Sequence, residues 1–152
     1  MSSHDITLGR TIGVTFENGE NFFTALADAC RTNGIRHAFI PIFIAAFSTV
    51  EMIGTCEPLY NPQAPVSNHI FLSHVEAFGS GTIAYNQDED KILPHIHVSA
   101  GVTEHSAAAR TSHLTAATVR FQTEMLIMEV AAPVMRQSMS PKLYGAPLLR
   151  FG

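Results

Sequence analysis

Charge is scarce in this chain. Asp, Glu, Lys and Arg make up only 14% of the residues, whereas 46% are apolar. So little charge on a chain of 152 residues predicts that part of the apolar surface is covered by another subunit. Positive charge is scarcer still. Nine basic residues against thirteen acidic ones leave a net charge of −4 with His neutral. Arg10, Arg31, Arg36, Lys91, Arg110, Arg120, Arg136, Lys142 and Arg150 form no run that could track a phosphate backbone. That argues against a strong autonomous nucleic-acid binder. The two cysteines, Cys30 and Cys56, lack CxxC spacing and sit among apolar residues, as buried free thiols in a reducing compartment do. The start of the chain has no basic segment followed by an apolar one, so no secretory signal is expected. The longest apolar run, Ala38 to Phe47, is broken by Pro41 and too short to span a membrane, and a cytoplasmic location is expected. Repeats, low-complexity tracts, a glycine-rich phosphate loop and a Gly-x-Ser-x-Gly elbow are all lacking.

What is present reads as a single domain over residues 1–152, with its core at about 9–151. Ile6 to Phe16 has strand composition. After the turn Glu17-Asn18-Gly19-Glu20, the residues Phe22, Phe23, Leu26, Ala29 and Cys30 recur at helical spacing. Asn18 or Asn21 can cap that helix at its start and Gly34 at its end. Residues 35–44 and 45–53 are apolar on both faces and predict two covered strands. Three prolines make 57–67 a loop, and 68–85 is a strand with a bulge or bend expected at Gly79-Ser80-Gly81. Beyond the acidic turn at 86–91 comes a strand bearing histidines. Residues 103–112 read as a loop or short helical turn, 117–132 as a long strand, 138–145 as a turn and 147–151 as a short strand. The expected class is α+β: an antiparallel-rich twisted sheet with one main helix early in the chain.

The histidine strand holds the chemistry. In Leu93-Pro94-His95-Ile96-His97-Val98-Ser99-Ala100-Gly101, period-2 alternation puts His95, His97 and Ser99 on one face. Ile96, Val98 and Ala100 fall on the other, which is apolar and should face the core. His113 follows His97 at a distance of sixteen residues. The pattern suits a three-nitrogen metal set, or two surface histidines with an unrelated third. A cupin site also starts from His-x-His but needs Glu four or five residues after the second His, where this chain has Gly101 and Val102. Three imidazoles on zinc leave a position for water, and a hydrolytic or hydrating enzyme would also need a nearby acid. Glu124, Glu76 and Glu104 are candidates for that acid; Glu124 lies on the more polar face of its strand, where it could equally pair with Arg120 or Arg110.

The order of these elements, with Pro94-His95-Ile96-His97-Val98-Ser99 followed by Ser112-His113-Leu114, resembles the plant-and-prokaryote-conserved (PPC) domain. Ser80-Gly81-Thr82-Ile83-Ala84, Thr123-Glu124 and Leu148-Leu149-Arg150-Phe151 support the likeness, which runs from about Gly9 to Phe151. The resemblance implies a homotrimer, and zinc held by His95, His97 and His113. Members are often described as candidate DNA-binding proteins because plant versions join the domain to an AT-hook, and no Arg-Gly-Arg-Pro hook occurs here. The implied function is therefore a small oligomeric, DNA-associated or regulatory binding protein that meets DNA or a DNA-binding partner. The alternative is a zinc-dependent enzyme of hydrolase or lyase type acting on a small molecule. Two departures stand out. Thr111-Ser112 replaces the family's Gly-Gly before His113, which should restrict a loop presenting that residue, and Glu76 lies one position nearer Gly81 than the family's acid.

Overall fold

A computed structural model describes residues 2–54, 68–102, 105–140, 142 and 146–152. Strands take up 75% of these, which corrects the expected α+β class to a mostly-β fold with one short helix. In chain order the elements are β1 (Thr7–Glu17), α1 (Phe22–Asn33), β2 (Ala38–Gly54), β3 (Asn68–Asn86), β4 (Lys91–Val102), β5 (His105–Ala132), β6 (Met135–Ser140) and β7 (Ala146–Phe151).

Bulges account for much of the difference. Of residues 35–44 and 45–53, read as two strands, 35–37 form the lead-in from α1 and the rest fall in the single strand β2. Its alternation breaks at Pro41-Ile42, where the register with β3 jumps between Ile40 and Phe43. A bulge adds a residue and bends the strand without ending it. The irregularity expected at Gly79–Gly81 thus sits across from it, on β2. Residues 105–112 are not loop or helical turn but the start of β5, because pairing with β4 overrides the weak preference of small polar residues. Ser138–Ser140, read as turn, closes β6. The loop expected at 57–67, Cys56 and Glu104 lie outside the described residues.

Every strand pairing is antiparallel. The sheet runs β1-β5-β2-β3-β4, and β4 returns to β5, so β2, β3, β4 and β5 close into a barrel. Closure depends on the length of β5, 28 residues. Its first part pairs with β4, its middle with β2 and its end with β1. Joining the two edges satisfies backbone groups that an open sheet would leave unpaired.

The helix packs on the inner side. Asn21 is the N-cap: its side chain accepts a hydrogen bond from the Thr24 backbone N–H at 3.0 Å. Asn18 serves elsewhere, accepting from the Phe121 N–H at 3.1 Å. Gly34, at φ 66°, ends the helix in the left-handed conformation that favours glycine. Phe22, Leu26 and Cys30 form its buried face. The Phe22 ring lies 5.2 Å from Phe43 and 5.7 Å from both Phe16 and Phe47, tying α1 to β1 and β2. Burial in this core pushes the Cys30 thiol up to about 11, so it is an inert packing group. The β6–β7 ribbon packs separately, with Met135, Val130 and Ala84 at the centre of a smaller cluster.

Candidate metal centre

β4 alternates as the sequence predicts. Ile96, Val98 and Ala100 face inward and are no more than 1% exposed. His95 and His97 face outward. On β3, Ser80 pairs with His97 and Thr82 with His95. Gly79 and Gly81 permit this close approach: a Cβ at Gly79 would strike the His97 carbonyl and the Phe43 ring, and one at Gly81 would come within 2.5 Å of the His95 carbonyl oxygen. On the other side of β4, His97 pairs directly with His113 of β5. Barrel closure therefore puts the third imidazole beside the first two.

The three rings form one cluster on the outer wall. Their centroids are 5.1 Å (His95–His97), 5.0 Å (His95–His113) and 5.5 Å (His97–His113) apart. The Nε2 atoms of His95 and His97 are 3.2 Å apart, and one nitrogen from each of the three residues lies within 4.8 Å of the others. Zn–N bonds of about 2.0–2.1 Å put tetrahedral ligand atoms about 3.3 Å apart, so the set fits such an ion with small ring movements. Partial burial holds His95 below the usual histidine range, and the neighbouring His97 lowers it further. His113 is lowered by burial first and then by His95 and His97. Both shifts favour the neutral imidazole, the form that ligates a metal.

Thr111 and Ser112 do not form a loop. Both lie in β5, in extended pairing with Ser99 and Val98. The Thr111 hydroxyl donates to Ser99 Oγ at 3.1 Å, and the Ser112 hydroxyl donates to the Ile53 carbonyl at 2.7 Å. These bonds tie β5 to β4 and to β2, so His113 is presented by strand pairing, which needs no glycine. The other candidates are not drawn in. Glu124 lies farther along β5, level with Ile44 and Thr15, and outside the histidine group. Glu76 pairs with Ala46 on β2.

A groove of about 370 Å³ adjoins the cluster. His97, Ser99, Thr111, Ser80, Ile42 and Phe78 line it. Phe78 is 61% exposed, Ile44 56% and Ile42 50%, so an apolar patch shares the outer wall with the histidines. Alternation along β3 could have placed Phe78 there. Ile42 could not be assigned a face, because the β2 bulge interrupts the period.

Residues 4–131 match the family model of the Plants and Prokaryotes Conserved (PCC) domain. No curated protein matches the sequence. Among solved structures, a metal-containing protein from Archaeoglobus fulgidus is 18% identical, with a TM-score of 0.78 over 97% of this chain and 98% of its own. A plant- and prokaryote-conserved protein from Pyrococcus horikoshii is 21% identical, with a TM-score of 0.76 over 94% of each chain. A protein from Bacteroides thetaiotaomicron described as a "putative DNA binding protein" is 18% identical, with a TM-score of 0.75 over 96% of this chain and 97% of that one. At these identities the likeness establishes a shared fold.

Proposed function

The chain belongs to the Plants and Prokaryotes Conserved domain family, and from that premise we propose that it is a cytoplasmic homotrimeric binding protein holding zinc at His95, His97 and His113 and acting beside DNA. The convergence of three outward imidazoles carries this reading. Zinc, when bound, supplies a Lewis-acid centre with a coordination position beyond the three nitrogens. His97 and His113 are held by adjacent strands in direct register, and the Ser99–Thr111 hydroxyl bond braces the same two strands. The ligand set is thus largely preorganised by backbone pairing. Self-association is supported by exposed Ile42, Ile44 and Phe78, an apolar patch of the kind a second copy covers. The DNA-associated role is supported by the description of the Bacteroides neighbour. With a net charge of −4, contact through a protein partner fits better than direct grip on phosphates.

The test is metal content of untagged protein, measured beside the His95→Ala/His97→Ala variant. One zinc per chain, lost in the variant, is expected; no zinc in either removes the metal site. Light scattering at micromolar concentration should give the mass of three chains, and a one-chain mass removes the trimer. A salt titration with duplex DNA should show at most weak binding at low salt, where the electrostatic contribution is greatest.

The groove beside His97 favours a second reading, a zinc-dependent hydrolase or lyase, since a small molecule could reach the metal from it. Zinc-dependent turnover of activated esters or 2-oxo acids, abolished by His97→Ala, would support it. No such turnover across the panel removes it.

A further inference from the structure

A second cavity lies where the β3–β4 hairpin meets the C-terminal end of α1. It measures about 430 Å³, within the range of small-ligand sites. Arg31, Arg36 and Lys91 line it together with Tyr85, Ile35 and Ile92. Three of the nine basic residues thus converge on one cavity in a chain whose net charge is −4.

Among the described residues three carboxylates stand near these three cations, but only two of the cations are ion-paired. Asp90, the carboxylate in the lining, accepts a hydrogen bond from the Tyr85 hydroxyl. Arg31 pairs with Asp28 at 2.7 Å, and Lys91 pairs with Glu89. Arg36 has no carboxylate within ion-pair distance among the described residues. Its guanidinium rests instead over the Tyr85 ring, 4.9 Å from the centroid. Such stacking, with a hydrogen bond from the guanidinium to the Tyr85 oxygen, holds the planar fork in place and leaves its other N–H groups for a carboxylate or phosphate. The end of α1 would ordinarily repel an anion through its free carbonyls. Here the Gly34 N–H donates to the Arg31 carbonyl at 3.1 Å and the Ile35 N–H to the Cys30 carbonyl at 2.9 Å, which occupies two of them.

We propose that this cavity binds a small organic anion: a carboxylate or phosphate group on a flat apolar body. Arg36 takes the anionic oxygens, and Tyr85, Ile35 and Ile92 contact the body. The site is independent of the histidine cluster and stands or falls without it.

The experiment is an NMR titration of the full-length, isotopically labelled chain with benzoate, with phenyl phosphate, and with benzamide as the uncharged counterpart. At least one anion should saturate and shift the backbone signals of Gly34, Ile35, Arg36, Lys91 and Ile92. Benzamide should bind about tenfold more weakly or worse. Arg36→Gln should weaken anion binding about tenfold with an unchanged circular dichroism spectrum, and Arg36→Lys should restore part of it. Binding of phenyl phosphate alone assigns a phosphate head group, and of benzoate alone a carboxylate. Any of three results overturns the proposal: no saturable shift with either anion, benzamide binding as well as benzoate, or shifts centred on Ile42 and Phe78 instead.

Discussion

The same strands present two unlike surfaces. Inside the barrel, Phe22, Phe43, Phe47 and Ile96 are fully buried around α1. Outside, interleaved with them in sequence, stand His95, His97, Ile44 and Phe78, all exposed. A one-residue step along a strand moves a side chain from one surface to the other. Stability is therefore concentrated on the inner face. The outer face carries imidazoles and a bare phenylalanine outside the packed core.

The sharpest way to break that division is through the ring cluster. Phe22→Ala should cost about 3–5 kcal/mol, read from chemical unfolding. A loss below about 1 kcal/mol would show that α1 is not the keystone of the inner face. A smaller effect of opposite sign is expected at Thr123. Its side chain is fully buried and its hydroxyl has no hydrogen-bond partner among the described residues. Thr123→Val should stabilise by about 1 kcal/mol, and a loss would mean the hydroxyl is satisfied after all.

On the outer wall, pH probes the metal-free protein. Folding holds His95 and His113 below the usual 6.5. The unfolded chain therefore takes up protons first as pH falls. Their contribution is present in full above 6.5 and is lost as pH drops through the lowered folded values. Melting curves from pH 8 to 5 should show that decline, and His95→Ala/His113→Ala should flatten it. An equal slope in the variant would place the proton uptake elsewhere. The smallest effect on folding belongs to Ile44→Ser/Phe78→Ser, within about 0.5 kcal/mol for the single chain. In the proposed trimer this variant should nevertheless fall to the mass of one chain by light scattering, and a mass of three chains would put the interface on another face.

Local signals were legible where a short period controls the outcome. Asn21, Gly34 and the apolar spacing between them bound α1, and alternation sent His95 and His97 outward. The fold class was not legible, because it turns on how far β5 extends. Residues 105–112 become strand only through pairing with β4, a tertiary effect that small polar residues do not announce. Pro41-Ile42 misled in a related way: a bulge looks like a strand end when no partner strand is in view. Thr111-Ser112 looked restrictive only while His113 was placed on a loop; in a strand the two hydroxyls add hydrogen bonds.

By itself, then, the sequence determined the helix and the outward face of His95 and His97 on β4, because each depends on neighbours a few positions away. Only the tertiary structure decided that the sheet closes, that His97 meets His113, and that Arg31, Arg36 and Lys91 share one cavity. Those meetings join residues far apart in the chain, and their cause is the backbone pairing that brings β5 back to β4 and the packing that seats α1 against the β3–β4 hairpin.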